Sequence, residues 1–400
     1  MGDRLLWELD LTMPAKITKE NRYNFCEVIF LSRRTMAFIL TFLGKGGVGR
    51  STVAIAAAKK YASSGQRVLL IGQDPSPAWG IPFQLPPTFT PQQVEAHLDV
   101  VQIMTVTALE SGWEQVKELE AKYLRSPTLK NVYGQELGIL PGMDSAVALK
   151  EIWDYDQSGR YDVIIYDGPG DMATLRLLGT PEIASWYIRR FREVFQESDF
   201  GRTIAPFVQP VTSAILNVSW TFDNFAAEPT QEANQILETG KKIIADPNHF
   251  VAYLVTDGSP GAIAKAQYLW GSAQQVNVTV GGVIANQSES SEPFTDIFAP
   301  LPVQFIPAQS TDAWEKFMAY LPDFKAASKA PRPLVIDAAA RQVKVFLPTF
   351  DKKQVKLTQY GPEITIEAGD QRRNILLPPP LKGAPVKGAK FQDQYLIISL

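Results

Sequence analysis

The sequence predicts an α/β chain, a mostly parallel sheet flanked by helices and interrupted by a helical insertion, followed by an all-β antiparallel sandwich. Three observations carry that prediction. First, the apolar run Ala37–Leu43 leads through a glycine-rich stretch into Val53–Lys60, a segment of strong helix formers. Second, further short apolar runs, at Arg67–Gly72, Arg160–Asp167, Phe250–Thr256 and Val280–Asn286, alternate with helical stretches, as parallel sheets require. Third, beyond Pro333 the hydrophobic period changes to two.

The first element is strand, glycine loop, helix. In Gly44-Lys45-Gly46-Gly47-Val48-Gly49-Arg50-Ser51-Thr52 the glycines let backbone N–H groups turn inward around an anion, and the helix start adds its positive dipole end. Ser51 stands where a hydroxyl ligates Mg²⁺. The common form of such a loop has lysine before the Ser/Thr; here that position is Arg50, and a second basic residue, Lys45, follows the first glycine.

Composition sets the frame. With 400 residues, 45% of them hydrophobic, the chain has enough apolar side chains for a full core and two to three domains. A net charge of −3 gives no bulk attraction to nucleic acid or anionic membrane. No run reaches the ~20 apolar residues of an integral membrane segment. The single cysteine, Cys26, allows no intrachain disulfide and no zinc clamp of CxxC type between subunits, and points to a reducing compartment, cytoplasmic or stroma-like. His97 and His249 lack metal-ligand spacing and read as surface or packing histidines.

Residues 1–35 read in two ways: a real extension adding a strand at Glu27–Leu31, or an over-long start with Met36 as the natural first residue. Acidic residues at Asp3, Glu8, Asp10, Glu20 and Glu27 argue against a transit peptide. The second strand delivers Gln73-Asp74-Pro75-Ser76 to the carboxyl edge of the sheet, where ligands bind in open α/β folds. Asp74 fits two roles there: holding the water that attacks a γ-phosphate, or capping a turn before proline. Leu98–Val106 reads as a strand and Leu109–Tyr123 as a helix. Gly138–Asp144 reads as strand, loop and helix start, with Asp144 as N-cap. Asp167, closing an apolar strand, suits a Mg²⁺ ligand acting through water, and Gly168–Asp171 a loop that responds to the γ-phosphate.

From Thr180 to about Phe225 the strand–helix alternation stops, within a helical insertion taken as about residues 174–235. Pro181 suits a helix N1 position. Ile183, Trp186, Tyr187, Phe191, Val194 and Phe195 recur at helical spacing, with more apolar residues at Phe207, Val208, Ile215, Leu216, Trp220 and Phe222. The stripe is either core or a hydrophobic client surface. Gln231–Ile244 and Ala262–Ala273 read as helices, Val303–Ile306 as the last strand and Thr311–Tyr320 as a closing helix. Asn286, ending a strand, fits either contact with an adenine ring or a turn cap. Ala326–Pro333 has linker composition. The alternation Val343/Val345/Leu347, Val355/Leu357, Ile364/Ile366, Ile375/Leu377 and Tyr395/Ile397/Ser399 then gives the sandwich, 333–400.

These motifs resemble those of the arsenite-pump ATPase and tail-anchored-protein targeting ATPase family, which has a deviant P-loop with an early lysine. Gly44–Thr52, Asp74-Pro75, Pro141–Asp144, and Asp167-Gly168-Pro169 followed by Thr174–Leu178 match; Asn286-Gln287 is a weaker match. The resemblance spans about Met36–Phe324, so the ATPase domain is taken as 36–328. It implies a homodimer closing around two ATP molecules, with Lys45 acting across the interface and Asp74 positioning the attacking water. Gly44, Lys45, Gly46, Gly47, Val48, Gly49, Arg50, Ser51 and Thr52 make up the nucleotide loop, in which Gly46–Thr52 hold the phosphates; Ser51 and Asp167 hold the Mg²⁺, and Asn286 the base. The insertion forms the groove for a hydrophobic, tail-anchored-type client. The C-terminal part resembles an α-crystallin-type small heat-shock domain, a combination similar to a branch of the family in photosynthetic organisms.

The sequence departs from that pattern at Arg50, which keeps the charge but is bulkier and planar. It also lacks a cysteine trio for arsenite, and Pro-Ser-Pro-Ala-Trp follows Asp74 in place of a histidine-bearing run. The expected activity is Mg²⁺-dependent ATP hydrolysis that controls capture and release of a hydrophobic client. The alternative is a nucleotide-binding chaperone or scaffold with little turnover, and an arsenite-pump energising subunit ranks below both.

Overall fold

The structure, a computed structural model, describes residues 36–123, 136, 138, 140–197, 228–308 and 314–400, with side chains 115, 116, 118–123, 191–197 and 228–233 outside that set. The expected strand at Glu27–Leu31 and the insertion residues Phe207–Phe222 lie outside it too.

In chain order the first part comprises β1 (Phe38–Gly44), α1 (Arg50–Ser63), β2 (Val68–Gly72), β3 (Gln92–Glu95), β4 (Leu98–Gln102), α2 (Thr105–Tyr123) and α3 (Met143–Gln157). Then come β5 (Val163–Asp167), α4 (Met172–Glu197), α5 (Glu228–Ala245), β6 (Phe250–Thr256), α6 (Pro260–Gln275), β7 (Val280–Asn286), α7 (Glu292–Phe298), β8 (Val303–Ile306) and α8 (Trp314–Tyr320). They build an eight-stranded sheet of order β3-β4-β2-β5-β1-β6-β7-β8, parallel except for the edge pair β3–β4. β1, β2, β5, β6 and β7 are buried along their whole length, which is why they read as continuous apolar runs. Two apolar layers cover the sheet. One gathers Leu175, Leu178, Leu269 and Trp270 with Ile164 and Leu254; the other gathers the alanine-rich face of α1 with Leu40, Leu70 and Ile165.

Register places the functional strand ends side by side. Thr41 lies opposite Tyr166, Gly72 opposite Asp167 and Gly44 opposite Val255. At the opposite edge, Asp156 of α3 accepts from the Ala37 backbone N–H at 3.1 Å and sits 3.1 Å from His249 Nε2, so His249 is a packing histidine while His97 is exposed.

The C-terminal part has a four-stranded sheet, β14 (Gly388–Gln392), β15 (Tyr395–Ser399), β10 (Gln342–Phe346) and β9 (Leu334–Asp337), and a three-stranded sheet, β11 (Val355–Tyr360), β12 (Glu363–Ala368) and β13 (Gln371–Leu376). All neighbours are antiparallel. Val343, Val345, Leu347, Ile364, Ile366, Ile375 and Leu377 fill the space between the sheets, as the alternation predicts.

Five details differ from the sequence reading. In β15 the inward residues are Leu396 and Ile398, not Tyr395, Ile397 and Ser399; Tyr395 packs instead on Phe346, which reaches Trp270 of α6 (ring centroids 4.9 and 5.9 Å). Burial on both faces at a seam between two folded parts defeats a simple parity argument. Pro181 lies inside α4 rather than at its start: it is buried against α5 beside Gly240, and the helix cost of proline, ~3 kcal/mol, is offset by packing of Leu175, Leu177 and Leu178. α3 is capped by Gly142 (φ 90°), which leaves Asp144 in the first helical turn without a capping bond. β4 stops at Gln102, and α2 begins at Thr105. The linker-like stretch begins as a 3₁₀ turn, Phe324–Lys329, that buries Phe324 against Tyr253 and Phe42.

Candidate nucleotide site

The site forms at the carboxyl ends of β1, β2, β5 and β7. The loop after β1 takes left-handed backbone at Gly47 (φ 90°) and Gly49 (φ 87°), and Gly49 caps α1. At Gly49 the demand is double, because a Cβ there would also lie 2.3 Å from Asn286 Nδ2. That amide nitrogen, nearly fully buried, donates to Val48 O at 2.8 Å and fastens the loop to the end of β7. The first N–H groups of α1 have no carbonyl one turn back, so the loop and helix start form an anion-binding concavity. Lys45, Gly46 and Gly47 are exposed around it, Ser51 is exposed at the helix start, and Thr52 is partly covered. Lys45 lies near Asp257, whose carboxyl is held below its usual range by the Ser259 hydrogen bond and, more weakly, by the Lys45 charge.

Asp167 is 7% exposed. Burial pushes its carboxyl above the usual carboxylate range; hydrogen bonds from the Ser51 hydroxyl and the Trp79 indole and the Arg50 charge pull the other way. The Trp79 indole N–H donates to Oδ2 at 3.0 Å. Arg50 does not pair with this carboxylate: its Nη1 donates to Gly168 O at 3.1 Å. The guanidinium fills a slot over Gly170 (φ 63°), where a Cβ would lie 1.6 Å from Nη1. Burial lowers the Arg50 pKa from its ordinary value, with the Asp167 and Asp171 charges opposing.

Asp74 lies beyond β2 and is exposed. Its carboxylate accepts the Ser76 backbone N–H and hydroxyl, each at 2.9 Å, so it makes the turn that one of the two sequence readings gave it. The buried Gln102 amide donates to the carbonyls of Asp74 (2.8 Å) and Ser76 (3.1 Å) and pins that turn from β4. Tyr166 donates to Gln73 Oε1, and Gln73 Nε2 donates to Asp144 O at 3.3 Å, tying α3 to the same edge. In the loop after β5, the Gly170 N–H donates to Thr174 Oγ1 at 2.9 Å and its carbonyl accepts from the Gly44 N–H at 2.8 Å.

The structure thus brings Gly44–Thr52, Asp167 and Asn286 together, with Asp74 on the adjoining strand end. Sequence reasoning missed Trp79, Gln102 and the carbonyl partner of Arg50. A tryptophan in the run Pro77-Ala78-Trp79-Gly80, five positions after the loop aspartate, was the available signal for the first; side-chain amides and carbonyls leave none.

Comparison with known proteins agrees with this geometry. Residues 36–296 match the ArsA ATPase model, described as an anion-transporting ATPase. The chain belongs to the ArsA ATPase family. Residues 339–400 match an HSP20-like domain found in ArsA. Putative arsenical pump-driving ATPases from Chlorobaculum tepidum and Aquifex aeolicus are similar to the chain. The first is 24% identical, covering 90% of this chain and 95% of its own length; the second is 21% identical, covering 90% and 99%. An ATPase ASNA1 homolog 1 from Paramecium tetraurelia is 26% identical over 38% of this chain and 46% of its own. The chain is therefore an ATP hydrolase of P-loop type carrying an HSP20-like C-terminal part. Among the described residues no helix is long and apolar enough to cross a membrane.

Proposed function

We propose that the chain is a Mg²⁺-dependent ATPase that works as a homodimer and couples its nucleotide state to the hold on a hydrophobic client. The observation that carries this reading is the meeting of the glycine-shaped loop at the α1 N-terminus with Ser51 and the buried Asp167. Gly46–Thr52 present backbone N–H groups and the helix dipole to the phosphates. Ser51 and Asp167 suit the metal: a buried carboxylate short of positive charge, beside a hydroxyl, is the hard-oxygen donor set Mg²⁺ favours. When bound, Mg²⁺ would neutralise charge developing on the transferring phosphoryl group. Asp74 would turn from the Ser76 amide to hold the attacking water. Asn286, whose Nδ2 is engaged by Val48, would use Oδ1 toward the base. Lys45 makes no hydrogen bond or ion pair among the described residues, which suits a side chain that completes a second copy's site.

The client reading rests on the family resemblance and on α4, which begins five residues after Asp167 and presents Ile183 and Tyr187 exposed. Trp186 is engaged otherwise: its indole donates to Glu363 Oε2 at 3.2 Å, in the sandwich. Side-chain burial at Phe191, Val194 and Phe195 lies outside the described residues. A metalloid-pump role fits less well, since one cysteine among these 400 residues supplies no soft three-thiolate site.

Phosphate release with and without Mg²⁺ tests the activity. Turnover that needs the metal and falls in Asp74→Asn supports it; wild-type release no higher than background favours a second reading, a nucleotide-binding chaperone or scaffold. Arg50, committed to Gly168 O rather than to the anion cavity, is the observation on that side. Sizing in ADP and in a non-hydrolysable ATP analogue tests the homodimer.

A further inference from the structure

We infer that Trp79 is a positioning residue for the metal carboxylate, and that its indole N–H links Mg²⁺ binding at Asp167 to the turn that carries Asp74. This rests on the Mg²⁺-site reading above and assigns a role to a residue outside the matched motifs. Three features support it. The Trp79 indole donates to Asp167 Oδ2 at 3.0 Å while the Ser51 hydroxyl bonds the same carboxylate, so two neutral donors fix its orientation and leave its remaining lone pairs for a cation or a metal-bound water. The ring is locked: Trp79 is 7% exposed, a Cβ on Gly72 would lie 2.2 Å from its Cε2, and Phe83 packs against it with a tilted ring, centroids 5.7 Å apart. Gly72 is the register partner of Asp167, so the slot that holds the ring belongs to the strand beside the carboxylate. Finally, Asp74 and Trp79 lie in one short segment held at both ends, by Gln102 on the Asp74 and Ser76 carbonyls and by Asp167 on the indole. A change in charge at Asp167 therefore acts directly on the loop of the water-positioning candidate.

Trp79→Phe keeps the ring in its slot and removes only the donor. ADP binding to the full-length protein is measured calorimetrically in Mg²⁺ and in EDTA. The expected result is a loss of about 10-fold in the Mg²⁺-dependent gain in ADP affinity, the scale of a lost outer-shell partner, with affinity in EDTA unchanged within about two-fold. Trp270→Phe, at a buried indole with no hydrogen-bond partner among the described residues, is expected to behave as wild type. An unchanged Mg²⁺ gain in Trp79→Phe, or an equal loss with and without metal, overturns the inference. Wild-type protein that binds ADP equally in Mg²⁺ and EDTA, or not at all, overturns the Mg²⁺ site itself. Should Trp79→Phe not fold, ¹⁵N-tryptophan spectra of the wild type decide: one indole N–H must shift when Mg²⁺ is added to the ADP complex, and no shift overturns the inference.

Discussion

Two buried carboxylates in this molecule have nearly the same neighbours and opposite consequences. Asp167 accepts from the Trp79 indole and Ser51, with Arg50 nearby but bonded to Gly168 O. Glu363, at the start of β12, accepts from the Trp186 indole at 3.2 Å and from Arg189 at 3.0 Å, with Arg190 at 3.9 Å. Glu363 thus receives its positive charge from the protein and becomes a clasp between α4 and the sandwich. At Asp167 the arginine bonds Gly168 O instead, its charge offsets burial only in part, and the carboxyl pKa stays above its usual range. A buried acid paired with its cation is architecture; one without a paired cation is a candidate metal ligand.

The clasp at Glu363 is one of several along the seam. Arg373, buried and with its pKa pulled down to about 10 by desolvation, donates to Gln274 O and Asn277 Oδ1, both at 2.8 Å. Gln371 and Asp370 face Met172 and Arg176 at the start of α4. The sandwich therefore runs along the helix that begins just past the Asp167 loop.

The contrast can be broken from either side. The largest effect is expected in hydrolysis: Asp74→Asn should lower phosphate release by at least about 100-fold, the scale of a lost general base, with ADP affinity within a few-fold of wild type. Next, Glu363→Ala should remove the carboxylate that accepts from Trp186 and Arg189. A broken buried pair costs about 3–5 kcal/mol, reduced to about 2–3 because Arg189 is one-third exposed; faster hydrogen exchange across β12 and β13 measures it, and wild-type exchange there would refute the clasp. Gly170→Ala should cost about 1–3 kcal/mol, by strain at φ 63° and by collision with Arg50 and the Phe42 carbonyl, and Arg50→Ala should recover only the Arg50 part of the collision in a double-mutant cycle read by denaturant unfolding.

The smallest effect has an unusual sign. Asp167 has a raised folded pKa, so between its ordinary and its raised value the native state holds the proton that the unfolded state has lost. Stability therefore falls as pH rises through that window, and above it the full cost of the buried charge remains. Asp167→Asn should raise the melting temperature of the metal-free protein at neutral pH by about 1–3 °C, and the gain should vanish at a pH below the ordinary carboxylate range. A lower melting temperature at neutral pH would mean that the ionised carboxylate is satisfied as it stands.

Much of this was legible in the sequence. Continuous apolar runs located the buried strands, and Gly44–Thr52, Asp167 and Asn286 fell at strand ends because the motif implies strand, turn and helix. What stayed hidden was set by tertiary context. Gln92–Glu95 is too polar to announce an edge strand, and its pairing depends on β4. Pro181 reads as a helix start until α5 is seen packed on it. Tyr395 and Phe346 face the ATPase part, a partner that period-two counting cannot see. Trp79, Arg50 and Gln102 make bonds to atoms far along the chain or to backbone carbonyls, which residue type alone does not mark.

ADP titration of wild type and Asp167→Asn, each with Mg²⁺ and with EDTA, decides whether this carboxylate holds the metal. The metal is expected to tighten ADP binding to the wild type and to do nothing for the variant, while the two bind alike in EDTA. A Mg²⁺ gain of equal size in Asp167→Asn would contradict it.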